Sequence, residues 1–160
     1  MKIVFSCLLC VTLIACNSKA NDKALTSRMD SLEQKLSRSY KPGLGEFMFN
    51  IQVHHAKLWF AGENQNWKLA DFEIHEIMEA IDAIQQFNTD RPEIKSLRMI
   101  NVPLDSVNAA IQQKSVASFK SSFTLLTNTC NNCHQATEHG FNQIKIPDSP
   151  PVSNQTFTVQ

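Results

Sequence analysis

Between Val116 and Cys133 an apolar stripe runs through Val116, Phe119, Phe123, Leu126, Cys130 and Cys133, at intervals of three, four, three, four and three. An unbroken heptad stripe of this length predicts a helix of about five turns with one side turned to a core. Both cysteines stand on that side, so their thiols point inward. Three earlier segments have helical periodicity too. The first runs from about Leu44 to Ala61, with Phe47, Met48, Ile51, His55, Leu58 and Trp59 recurring every three or four residues and Gly62 expected to close it. The second, from about Asn66 to Asn88, shows Ala70, Ile74, Ile77, Ile81 and Ile84 on one face, and the third is brief, from about Leu104 to Gln113. Between them lie a turn from Asn88 to Pro92 and a short helical piece with Ile94, Leu97 and Ile100 leading toward Pro103. With short links joining neighbours, the expected fold is all-α, an antiparallel four-helix bundle over residues 44–140. Pro147, Pro150 and Pro151 make 141–160 an extended tail. Its Phe141, Ile144, Ile146 and Phe157 are candidates to cover the end of the bundle.

The stripe ends in Cys130-Asn131-Asn132-Cys133-His134. Two thiols three residues apart lie one turn from each other on the same side of a helix. That is the placing that thioether bonds to the two vinyl groups of a haem require, and His134 follows near the same face as an axial iron ligand. One covalent haem c is the cofactor this spacing predicts. A zinc site from Cys130, Cys133, His139 and His75 lacks the second close cysteine pair on which structural zinc usually draws. A thioredoxin-like redox pair wants a strand before the motif and a βαβ setting, neither of which the sequence offers.

The beginning of the chain bears on the same reading. Lys2, an apolar run from Ile3 to Ile14, and Leu13-Ile14-Ala15-Cys16 resemble a lipoprotein signal over 1–15, with Cys16 as the lipidated first residue of the mature protein. An ordinary secretory signal cleaved near Ala20 is the competing reading. The apolar run is too short to span a bilayer, and two or more acyl chains on Cys16 anchor a protein stably. Cys7 and Cys10 leave with the signal, so only Cys130 and Cys133 remain as thiols of the folded part. Residues 16–43 read as a tether and an amphipathic stalk helix. Its Leu25, Met29, Leu32 and Leu36 form a short heptad stripe that either folds back on the domain or joins copies of the chain in a homo-oligomer. Fifteen basic residues balance fifteen acidic ones, giving no global field for nucleic acid. The expected setting is the periplasm-facing cell envelope. Asn17, in place of an aspartate after the lipid site, favours the outer membrane.

A four-helix chain with Cys-x-x-Cys-His near the end of its last helix resembles the class II cytochromes c, the cytochromes c-prime and their low-spin relatives. The stretch Met48, Gln52, His55-Ala56-Lys57-Leu58-Trp59-Phe60-Ala61-Gly62 and Asn66-Trp67, with Asn154-Gln155 and Phe157, also resembles a group of lipoproteins and periplasmic proteins known only as c-type haem proteins. The tail beyond about Gly140 departs from typical cytochromes c-prime, which end soon after the haem histidine. All five methionines precede Cys130, so the downstream methionine ligand of class I cytochromes is absent. In an antiparallel bundle the carboxyl end of the last helix lies beside the amino end of the first, which sets Met48 near the height of His134. Low-spin members of the resembled family take a methionine from that place, so Met48 is the candidate distal ligand. Ordinary core packing of Met48 over five-coordinate iron is the alternative to that role. His55, about 10 Å further along, is the rival ligand, with His54 and His75 behind it. Lys57, Trp59 and Trp67 are expected to line or edge the pocket.

The function these expectations favour is one-electron transfer with an unidentified redox protein, without enzymatic activity. Binding of NO or CO at five-coordinate iron is the alternative, with Phe47, Phe49 and Ile51 as an apolar distal wall. Peroxidase-type catalysis would need a distal acid and base, and no arginine accompanies His55. Glu73, Glu76 and Glu79 read as a solvated helix face.

Overall fold

The computed structural model describes residues 22–36 and 42–159. The expected signal segment 1–15, the lipid site Cys16 and the tether up to residue 21 lie outside the described residues. The described chain is all-helical, with five α-helices and no strand. Helix α1 covers 22–36. It is followed by α2 (Leu44–Glu63), α3 (Trp67–Phe87), two 3₁₀ turns (Pro92–Lys95 and Leu97–Ile100), α4 (Asn101–Gln112) and α5 (Val116–Ala136). No described helix is long and apolar enough to cross a membrane. Helix α1 belongs to a first unit, 1–41, and the other four helices to a second, 42–160.

Within the second unit α2 packs on α3, α3 on α4, α4 on α5 and α5 on α2. The α3 stripe expected from sequence is buried at every position, Ala70, Ile74, Ile77, Ile81 and Ile84. It meets Leu58 and Ala61 of α2, Leu104, Val107, Ala110 and Ile111 of α4, and Phe119, Phe123 and Leu126 of α5 in one core. Each such large apolar side chain contributes ~1.5–3 kcal/mol relative to exposure.

The helix ends show where local signals hold. Asn66 caps α3 by accepting a hydrogen bond from the Leu69 amide at 3.3 Å, and Ser115 caps α5 by accepting from the Ser118 amide at 3.3 Å. Gly62 does not close α2. The helix runs through it to Glu63, and the turn comes at Gln65, which takes a left-handed φ of 56°. There the Asn66 amide donates to the Ala61 carbonyl and the Gln65 amide to the Gly62 carbonyl, a Schellman closure. Lys114 and Glu138 do the same after α4 and α5, with φ of 53° and 63°. Helix α4 starts three residues earlier than expected, because Pro103 sits in its first turn, where an amide donor is not needed.

Candidate functional site

What Gly62 does instead is admit an aromatic ring. A Cβ on it would fall 2.2 Å from Phe119, so the absent side chain lets Phe119 press against α2. Around Phe119 gather Trp59, Phe123 and Trp67, with ring centroids 6.2, 5.7 and 6.2 Å away. Trp59 and Trp67 therefore fill this end of the core and do not line the cavity described next. Lys57 lies elsewhere too, 3.2 Å from Glu73.

One to three turns further along α5 the core is hollow. A cavity of about 970 Å³, counted with the solvent at its mouth, is bounded by Met48, Phe49, Ile51 and His55 of α2 and Ile77 and Ile81 of α3. Leu97 and Ile100 from the second 3₁₀ turn continue the wall, and Leu126, Cys130, Cys133 and His134 of α5 complete it. Its walls are mainly apolar, with the two thiols and two imidazoles among the polar exceptions of the kind that orient a ligand. Every site residue expected from sequence in the folded part, Cys130, Cys133, His134, Met48 and the rival His55, is on its wall. Phe49 and Ile51 line it as expected, whereas Phe47 packs against the core.

The two thiols are free, not joined in a disulfide. Burial pushes Cys130 up to about 12, the adjoining Cys133 adding to the effect, and burial raises Cys133 as well. Both are therefore neutral S–H groups at physiological pH, poor nucleophiles and poor metal ligands in that form.

His134 is oriented by the tail. Its Nδ1 lies 2.6 Å from the carbonyl oxygen of Asn142, an acceptor only, so Nδ1 carries the proton and Nε2 keeps its lone pair. A backbone carbonyl behind a ligating imidazole is the usual outer partner of a metal-bound histidine. Asn131, between the cysteines, fixes the same tail twice. Its Nδ2 donates to the Ile144 carbonyl and its Oδ1 accepts from the Ile144 amide, both at 2.8 Å. Ile144 thereby becomes part of the cavity wall. Phe141, expected to help cover this end, is 85% exposed, and Phe157 packs on Phe60 with centroids 5.8 Å apart.

His55 is buried, and its Nε2 lies 2.9 Å from Thr127 Oγ1. The Thr127 hydroxyl gives its proton to the Phe123 carbonyl, so it accepts from His55, which places the imidazole proton on Nε2. The ring rests 4.4 Å from Phe123, and burial lowers its pKa from 6.5 to about 4. It is a neutral, hydrogen-bonded wall residue. His75 bonds the Asp71 carbonyl on its own helix, and His139 the Thr137 carbonyl. Among the described residues no three histidine, cysteine or acidic side chains converge as a metal cluster would require.

Glu73 overturns the expectation of a solvated acidic face. It is completely buried, with Oε2 at 2.6 Å from His54 Nδ1 and Oε1 at 3.2 Å from Lys57 Nζ. The signal was present: Glu73 lies three residues after Ala70 and four before Ile77, on the apolar stripe itself. A carboxylate there is tolerable because α2 brings the Lys57 ammonium and a hydrogen-bonding His54 imidazole to it. His54 is thereby accounted for without a role at the cavity.

No protein-family model, curated protein or solved structure matches this chain.

Proposed function

We propose that this chain is a c-type cytochrome of the class II kind, an antiparallel four-helix bundle holding one haem through Cys130 and Cys133, with His134 as the proximal iron ligand. The observation that carries the reading is the meeting of two free thiols and an imidazole whose Nδ1 is held by the tail, all on the wall of one apolar cavity. Cys130 and Cys133 would hold the haem through thioether bonds, whose sulfurs are neutral and so bury no charge in the apolar wall. The bound haem supplies one-electron chemistry at iron. The chain's own residues exclude water through Ile77, Ile81, Leu97, Ile100 and Ile144, and hold His134 in one tautomer through Asn142.

Met48 is our choice for the sixth ligand, since it shares the cavity with His134 and lies nearer the amino end of α2 than His55, which is packed on Phe123 and bonded to Thr127 about two turns further along the helix. With two axial ligands the favoured role is electron transfer to a redox protein. The chain is then a carrier and not an enzyme, held in the periplasm-facing cell envelope, with the outer membrane favoured, by a lipid on Cys16. The second reading, binding of NO or CO at five-coordinate iron, draws support from the apolar wall that Phe49 and Ile51 add beside Met48.

The test is to mature the protein in cells able to attach haem, denature it and extract with acidified solvent. Colour is expected to stay with the polypeptide; colour passing into the solvent, or a colourless chain, refutes the haem assignment. The oxidised spectrum is expected to show the weak far-red band of methionine ligation, and Met48→Leu to abolish it. Ready uptake of carbon monoxide by the reduced protein would favour gas binding instead.

A further inference from the structure

Every residue of α1 is exposed, its apolar stripe included. Spacings of four, three and four put Leu25 and Leu32 at heptad positions d and Met29 and Leu36 at a. These four are 59, 64, 62 and 75% exposed. A stripe so uncovered on a helix this short is marginal in water by itself.

The charges beside the stripe say what covers it. Arg28 falls at g and Glu33 at e of the next heptad. Neither finds an opposite charge three or four places along its own helix, where helical ion pairs form. Arg28 has Ala24, Leu25, Ser31 and Leu32 at those places, and Glu33 has Met29, Asp30, Leu36 and Ser37. In a parallel, in-register pair of helices a g residue faces the e residue five places on in the partner, so Arg28 meets Glu33 of the second copy, twice by symmetry. An antiparallel pair sets g against g, which brings Arg28 against Lys35.

We propose that α1 is a dimerisation helix whose occupant is a second copy of this chain, parallel and in register, with Leu25, Met29, Leu32 and Leu36 as the seam and Arg28–Glu33 pairs on both flanks. The parallel sense brings both amino-terminal ends to one side, which suits the lipid anchor proposed at Cys16; on that reading, confinement to one membrane raises the effective concentration of so short a seam. The proposal stands apart from the haem reading, because its test gives the same answer in coloured and colourless protein.

Full-length protein carrying Leu32→Cys is treated in cells with a short bismaleimide and compared with the parent chain and with Ser27→Cys, which lies at f on the opposite side. A covalent dimer is expected from Leu32→Cys well above both comparisons. In the Leu32→Cys background, Arg28→Glu is expected to lower its yield roughly five-fold, the ratio that a loss of one stabilising unit of energy commands. Adding Glu33→Arg to Arg28→Glu is expected to restore it. Equal cross-linking at Ser27 and Leu32, no dimer above the parent, or a double variant no better than the single one overturns the proposal. A stripe folded back on its own chain gives the second of these results.

Discussion

The two halves of α5 are continuous in sequence pattern and opposite in what they do. In the first half, Phe119 and Phe123 are fully buried against Trp59, Trp67 and the bare backbone of Gly62, and the space is full. In the second half the same stripe continues with Cys130 and Cys133, and the space beside them is a cavity. A heptad pattern thus fixes which side of a helix faces inward without fixing whether protein atoms fill that interior. The full half buries apolar surface that stabilises the fold, and the hollow half leaves the space on which the proposed haem site rests.

That contrast breaks if the two halves respond alike to substitution. The largest effect is expected at Phe119→Ala, with a loss of about 3–5 kcal/mol in denaturant unfolding. A loss comparable to that of an exposed site would show that the aromatic cluster is not tightly packed. Next comes pH, through His55, which joins the two halves. Its folded pKa is about 4 against 6.5 unfolded, so between those values the unfolded chain takes up a proton that the folded chain refuses. Stability is therefore full above pH 6.5 and falls as pH drops toward 4, by at most about 3 kcal/mol. Replacement by Gln at residue 55 should flatten that part of the stability profile measured by urea titration across the window. Met48→Leu keeps volume on the wall of the cavity and is expected to cost under about 1.5 kcal/mol while removing the far-red band. Smallest is Lys114→Gly, expected to stabilise the fold by about 0.5–1 kcal/mol through relieved left-handed strain, read as a rise of a few degrees in the thermal midpoint, since it touches neither half.

Much of the fold was legible because it is written in local periodicity. The α3 stripe and the inward direction of Cys130 and Cys133 both follow from spacing within one helix. What escaped needs a partner from elsewhere. Gly62 looks like a helix stop in its own neighbourhood and becomes a seat for a ring only when Phe119 is brought across. Glu73 looks like surface until His54 and Lys57 are set beside it. Trp59 and Trp67 have the size of pocket residues, and only the packing of α5 on α2 turns them toward Phe119. The tail carries no period at all, so neither the Asn142 bond to His134 nor the exposure of Phe141 could be read from its residues. At the cavity, residue types and spacing were enough to gather Cys130, Cys133, His134, Met48 and His55, while the tautomers of the two histidines required their hydrogen-bond partners.

The residues between two paired cysteines are ordinarily counted and not read. Asn131 is different, because its amide grips the backbone of Ile144, 13 residues away, with both its donor and its acceptor. A chain with Ala at 131 would keep the same motif, the same spacing and the same thiols, and yet release the tail segment that walls them in. Identity of the signature is therefore no guarantee of identity of the chamber; here a spacer residue decides how much of the cavity's wall is protein and how much is water.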